Sequence, residues 1–323
     1  MPSFASKIAI GITVLILAGA TSVVRPVISQ GVDSSRFDIA LFGDQPYGAD
    51  GIEMFPALLA DINAADLAFA IHVGDIKNGS TLCNDEWYDF IFDAFQALRH
   101  PLIYVPGDNE WTDCHRENNG SYDSLDRLAL VRRVFFPDNN SLGRRQIPLE
   151  RQSATPAYAL FRENVRWSHG DVLFVGLHVI GSNNNLGRND ENDVEYHARN
   201  AANLVWLRES FAMANSRGHR AVMVFMQANP WDGPADQRTG FVDFLRALES
   251  ETVAFQRPVV LVHGDSHYFR IDRPAVSTRR LENLIRLEVF GEADNHWVRA
   301  TVDPNDPNVF SFRPAIVEAN RRP

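Results

Sequence analysis

The chain has 323 residues, 45% of them apolar and 22% charged, with a formal net charge of -10. That apolar share can bury a sizeable core, which excludes disorder for most of the chain, and the length suits one large domain or two small ones. The acidic balance argues against nucleic acid as a partner, because proteins that bind it carry basic faces, and against broad adhesion to an anionic membrane.

At the N-terminus Lys7 precedes an apolar run from Ile8 to Ala18, followed by Gly19 and Ala20. A basic start, an apolar core and an Ala-x-Ala site read as a secretory signal peptide, so the protein is expected in the periplasm or outside the cell. The alternative is an uncleaved anchor, since the run to Val24 is near the lower limit for spanning a bilayer. This anchor would be the only membrane attachment. Residues 1–30 are therefore set apart, and 31–323 are read as a single domain, with no internal repeat and no break in composition after Ser35.

The first strand, Phe37 to Phe42, stops at Gly43-Asp44. A loop over Gln45-Pro46-Tyr47-Gly48 leads to helical spacing from Ile52 to Ala64. The second strand, Leu67 to Val73, stops at Gly74-Asp75, and Asn84 is a plausible cap for a helix carrying Trp87, Phe90, Ile91, Phe95 and Leu98. The third, Pro101 to Pro106, stops at Gly107-Asp108, and a helix follows from Ser124 to Phe135. Two strand-helix-strand crossovers in succession imply a parallel core. Residues 137–156 are polar and irregular. Ala157 to Glu163, Val165 to Ser168 and Val172 to Ile180 then read as antiparallel strands, and Gly181 to Gly187 is a candidate ligand loop. A long helix spans Val194 to Arg217, and a strand from Arg220 to Met226 ends at Gln227. After a helix from Thr239 to Phe255, the strand Pro258 to His263 stops at Gly264-Asp265. Three further strands, Leu284 to Phe290, His296 to Val302 and Val309 to Pro314, complete an α/β chain with a two-sheet core.

Four strands thus end in Gly-Asp, which places Asp44, Asp75, Asp108 and Asp265 where open α/β sheets bind ligands. One such pair is an ordinary turn or helix cap. Four of them crowd carboxylates together, and cations usually offset that repulsion. A metal site is the expectation. Cys83 and Cys114 are the only cysteines. In an exported chain an even count points to a disulfide, which here would tie two of the site loops together; two free thiols are the alternative.

In these blocks the chain resembles the calcineurin-like metallophosphoesterases, which include the purple acid phosphatases. The family's motifs run Asp-x-His, Gly-Asp, Gly-Asn-His-Glu/Asp, a later His, and Gly-His-x-His. Their order and spacing match from Phe37 to His267, about seven-tenths of the chain. The resemblance implies a four-layer α/β/β/α sandwich of two mixed sheets flanked by helices. It also implies a dinuclear metal site where metal-activated water hydrolyses a phosphate mono- or diester. Carried over by position, Asp44, Asp75 and His267 would hold one metal, and Asp75, Asp108, Gln227 and Asp265 the other. Asn109 stands where the family has its catalytic His, so Asn109, Asp75 and His267 form the expected catalytic set.

Several identities depart from the pattern. Pro46, Asn109, Gln227 and Asp265 replace His, and Asp108 replaces Asn. Except for Pro46, every changed ligand still offers oxygen, which favours magnesium or manganese and leaves calcium, iron or zinc open. The set carries four formal negative charges against the family's two, which should weaken the metals' Lewis acidity. Asn109 cannot donate a proton as an imidazolium can, and His115, His178 or His263 are equal candidates to replace it. Asn109, His178, Asn183 and Arg188 are candidate contacts for a small-molecule or phosphorylated substrate. His263 reads more readily as a strand residue with a bonded ring than as a ligand. The alternative function is a catalytically impaired member of the fold that binds metal as a scaffold. An esterase of another type lacks support, since the chain has no Gly-x-Ser-x-Gly elbow.

Overall fold

Two face-to-face sheets form the centre of the protein, and a computed structural model describes Met1, Pro2 and residues 36–322 of it. The N-terminal apolar run and its expected cleavage site lie outside the described residues. The elements in chain order are β1 (Phe37–Phe42), α1 (Gly48–Ala64), β2 (Ala70–His72), α2 (Asp85–Gln96), β3 (Leu102–Tyr104), α3 (Ser124–Phe135), β4 (Glu150–Arg151), β5 (Val165–His169) and β6 (Val172–Gly176). They continue with a single turn, α4 (Gly181–Asn184), then α5 (Asp190–Ser216), β7 (Ala221–Phe225), α6 (Val242–Phe255), β8 (Val259–His263), β9 (Arg270–Asp272), β10 (Leu284–Glu288), β11 (Trp297–Val302) and β12 (Phe310–Ala315). Among the described residues no helix is long and apolar enough to cross a membrane.

One sheet has the order β12-β11-β1-β2-β3 and the other β4-β5-β6-β7-β8-β10-β9. β1, β2 and β3 run parallel, while β11 and β12 add antiparallel to the β1 edge. In the second sheet β6, β7, β8 and β10 are parallel, with β4, β5 and β9 antiparallel outside them. Both sheets are mixed, as the family resemblance implies.

The period of two along each strand divides its side chains between two cores. Ile39 and Leu41 of β1 meet Met223, Phe225, Val260 and Val262 between the sheets. Their neighbours Ala40 and Phe42 face outward onto Phe55, Leu58, Ile91 and Phe95 of α1 and α2. Val222, Val224 and Leu261 pack outward onto Trp206, Phe211 and Phe244 of α5 and α6. The order of layers is therefore α/β/β/α. Helix caps are local: Asn84 accepts from Trp87 N, Asp123 from Leu125 N and Asp126 N, and Asn189 from Asn192 N.

Three elements differ from expectation, the first being β4, whose Glu150 and Arg151 pair with β5 inside the stretch read as irregular. Residues 157–163 form no strand. Pro156 opens a short 3-10 turn, and Leu160 is exposed because no sheet edge is there to receive it. β9 is an edge strand whose Arg270 and Asp272 hide it from a hydrophobicity reading.

Candidate metal centre

The parallel strands of both sheets end on one rim, and the loops leaving β1, β2, β3, β7 and β8 carry the expected acidic and amide residues there. Asp75, Asp108 and Asp265 each bring a carboxylate oxygen within 4.8 Å of the others. Gln227 joins them, its amide donating to Asp75 Oδ2 and Asp265 Oδ1, both at 3.1 Å. Its Oε1 accepts the Gly181 N–H at 2.6 Å, so all its polar atoms are engaged. Asp44 lies beside this group, with both oxygens accepting the Asp265 N–H at 3.1–3.2 Å. His267 is 3.9 Å from Asp44 Oδ1 through Nε2, and its Nδ1 turns to Glu292 at 3.2 Å. The cleft above is about 420 Å³ and open, lined by Tyr47, Asp75, Asn78, Asp108, Asn109, Asp265, His267 and others.

The backbone is strained at this rim. Asp44, Asp75, Asp265 and His267 all have positive φ, at 52°, 58°, 82° and 59°. Non-glycine residues seldom adopt that region, and such outliers gather at functional sites. Glycines supply room beside the carboxylates. A Cβ on Gly181 would lie 2.7 Å from Asp108 Oδ1 and 2.8 Å from Asp265 Oδ1. One on Gly107 would lie 2.0 Å from Asp75 Oδ1.

Burial and mutual repulsion act in one direction here. Burial, then Asp265, holds the Asp44 carboxyl well above the usual range. Burial, then Asp108, does the same to Asp75 and pushes Asp265 up to about 8. Beneath the rim Glu110 accepts from Asp75 N, Gly107 N and the Tyr104 hydroxyl. The buried Lys77 ammonium donates to Asn109 O at 2.8 Å and Asn119 Oδ1 at 2.7 Å. Burial pulls Lys77 down to about 8 against the carboxylates around it. Cys83 and Cys114 form a disulfide behind Asn109, whose carbonyl lies 3.8 and 3.9 Å from the two sulfurs.

This donor set fits a divalent cation. It offers hard oxygens with excess negative charge, in a position that backbone glycines keep clear.

Asn109 donates one amide hydrogen to Asp75 Oδ2 and the other to the Tyr47 hydroxyl oxygen, both at 2.8 Å. Both hydrogens are used within the protein. The other expected substrate contacts are less central. His178 is fully buried, with Nδ1 on Glu163 at 2.8 Å, and the cleft does not reach it. Asn183 bonds Leu186 O, Thr239 Oγ1 and Gly240 N. Arg188 bonds Thr112 O and Ser124 Oγ and lines a neighbouring cleft with His115. His263 is buried with Nδ1 on Gly264 O at 2.8 Å, as its place in a strand suggests.

Tyr47 and Ser182 belong to the site without having been singled out. Tyr47 donates its hydroxyl to Asp75 Oδ2 at 2.8 Å, and Ser182 donates to Asp108 Oδ2 at 2.7 Å. Tyr47 lies one residue past Pro46, within a block whose expected ligand is missing. That gap is the only signal for Tyr47, whereas Ser182 lies within the Gly181–Gly187 stretch read as a candidate ligand loop.

No family model matches the sequence, and no curated protein matches it. Among solved structures it is similar to a conserved uncharacterized protein from Streptococcus pneumoniae TIGR4, described as a predicted phosphoesterase. That likeness has a TM-score of 0.33 and 7% identity, covering 86% of this chain and 98% of the other. It is also similar to Vacuolar Protein Sorting 29 from Cryptosporidium parvum, with a TM-score of 0.32 and 12% identity over 87% of this chain and 97% of that one. Both likenesses extend over most of either chain at low TM-score and low identity.

Proposed function

We propose that the protein is an exported, metal-dependent phosphoesterase acting on a phosphate mono- or diester. The observation that carries this reading is the convergence of Asp75, Asp108 and Asp265 within 4.8 Å, from strands of both sheets, under an open cleft. A divalent cation at that point would supply Lewis acidity toward a phosphoryl oxygen and lower the pKa of a water. Asp75, Asp108 and Asp265 would hold it, with Gln227 fixing the spacing of Asp75 and Asp265. Asn109 orients Asp75 through its amide and backbone N–H. The disulfide supports placement in an oxidising compartment.

Magnesium or manganese suits the oxygen donors best. Of the two positions the family resemblance implies, one would be served by Asp75, Asp108 and Asp265 within 4.8 Å of one another, and the other by Asp44 and His267, 3.9 Å apart.

The occupied amide of Asn109 favours a second reading, a metal-dependent binding protein. The cleft presents no general acid at that position, and a general acid commonly contributes roughly 10²–10⁴-fold. Turnover should therefore be confined to good leaving groups. The test is hydrolysis of activated aryl mono- and diesters by chelator-stripped protein with each divalent metal restored in turn. Turnover with manganese or magnesium that vanishes in Asp75→Asn is expected. Silence with every metal, alongside measurable metal binding, would establish the binding-protein reading instead.

A further inference from the structure

We infer that the site takes one divalent cation, held by Asp75, Asp108 and Asp265, and that Tyr47 closes it to a second. The inference rests on the cation reading above and concerns what shapes the other half of the rim. A second ion on the Asp44 side would have to be shared by Asp75 and His267. Tyr47 stands between these two residues. Its hydroxyl is 2.8 Å from Asp75 Oδ2, and its ring meets the His267 imidazole edge-on with centroids 5.0 Å apart.

The phenol is wedged in place, being only 7% exposed and fixed at its oxygen by both Asp75 and Asn109. Asp75 Oδ2 accepts from Tyr47, Asn109 and Gln227, which fills the oxygen that would have to bridge to a second ion. Of these three donors the phenol alone also occupies the space on the His267 side of that oxygen, so its ring, rather than the hydrogen-bond count, keeps an ion out. Pro46 contributes no ligand atom. The Asp44 carboxylate is turned onto the Asp265 N–H, and His267 onto Glu292. Among the described residues the Asp, Glu, His and Cys side chains converge in threes only at Asp75, Asp108 and Asp265.

The test is Mn2+ titration of the chelator-stripped full chain, with bound metal measured by equilibrium dialysis and by electron paramagnetic resonance. One ion per chain with the spectrum of an isolated Mn2+ is expected. Two ions per chain with a spin-coupled spectrum would overturn the inference and leave the cation reading standing. No bound ion would overturn both. In Tyr47→Ala a second, weaker ion should bind, while Tyr47→Phe, which keeps the ring, should stay at one. A folded Tyr47→Ala that still binds one ion would remove Tyr47 from the account.

Discussion

The carboxylate cluster makes a quantitative prediction at Asp108, which is 7% exposed and accepts the Ser182 hydroxyl. Asp108→Asn keeps the shape and keeps a partner for Ser182, whose hydroxyl can rotate to accept as well as donate. It removes two of the three repulsions among Asp75, Asp108 and Asp265. At the 4.8 Å outer spacing and an effective dielectric near 20, each ionised pair costs about 3.5 kcal/mol. Part of that is already avoided by protonation, since Asp265 is pushed up to about 8. A net gain of roughly 2–3 kcal/mol is expected for the metal-free variant, or about 5 °C in melting temperature.

The sign follows from linkage. Asp265 binds its proton more tightly folded than unfolded, so stability from this group falls as pH rises from about 4 to 8. The variant's advantage should therefore grow toward pH 8 and shrink near pH 5. With metal present the variant's lead should narrow. Wild type gains about 2.7 kcal/mol at a hundredfold excess of cation over Kd, and the variant, one charged ligand short, gains less. Scanning calorimetry in chelator and in Mn2+ measures both. An Asp108→Asn protein that melts below wild type in chelator at pH 8 would refute the reasoning.

Two further perturbations leave the carboxylates themselves untouched. The Cys83–Cys114 disulfide closes a loop of sequence separation 31, for which chain entropy gives a loss of about 4 kcal/mol when it is broken. Urea unfolding of Cys114→Ser should show that loss, and an unchanged midpoint would contradict it. Burial pulls His178 down from 6.5 to about 4, while its unfolded form titrates near the ordinary value. The unfolded state then takes up the proton first, so stability from His178 is complete above pH 6.5 and is lost as pH falls toward 4, by about 3 kcal/mol in all. His178→Gln should flatten the acid limb of a stability profile, and a limb of unchanged slope would exclude His178 as its source.

Much of the architecture was legible because the strands that build the rim announce themselves. An apolar run ending in Gly-Asp combines a buried strand with a sharp turn, and that pairing survives without knowledge of its neighbours. Asn84, Asp123 and Asn189 mark helix starts by the same kind of local chemistry. The misread segment at 157–163 opens with an apolar run, Ala157 to Phe161, that suits a strand, but composition says nothing about whether a sheet edge is available to receive it. Tyr47 was missed for a related reason. Its role depends on Asp75, Asn109 and His267, which arrive from three other loops, and no spacing along the chain encodes that meeting.

The carboxylates themselves show where sequence reasoning reaches its limit. Gly-Asp predicts where the side chains emerge, yet Asp44, Asp75 and Asp265 each adopt a left-handed backbone that glycine would accept more readily. Such residues cost of order 1–3 kcal/mol apiece, and like-charge repulsion adds to that cost at the same rim. A fold selected for stability alone would place Gly or Asn there, residues that tolerate the conformation without the charge. Keeping aspartate at three left-handed positions, with Gly181 holding space clear beside Asp108 and Asp265, concentrates strain and charge at one point. A bound cation is the simplest agent that offsets both, because it neutralises the repulsion and holds the carboxylates in the orientation that the strained backbone sets.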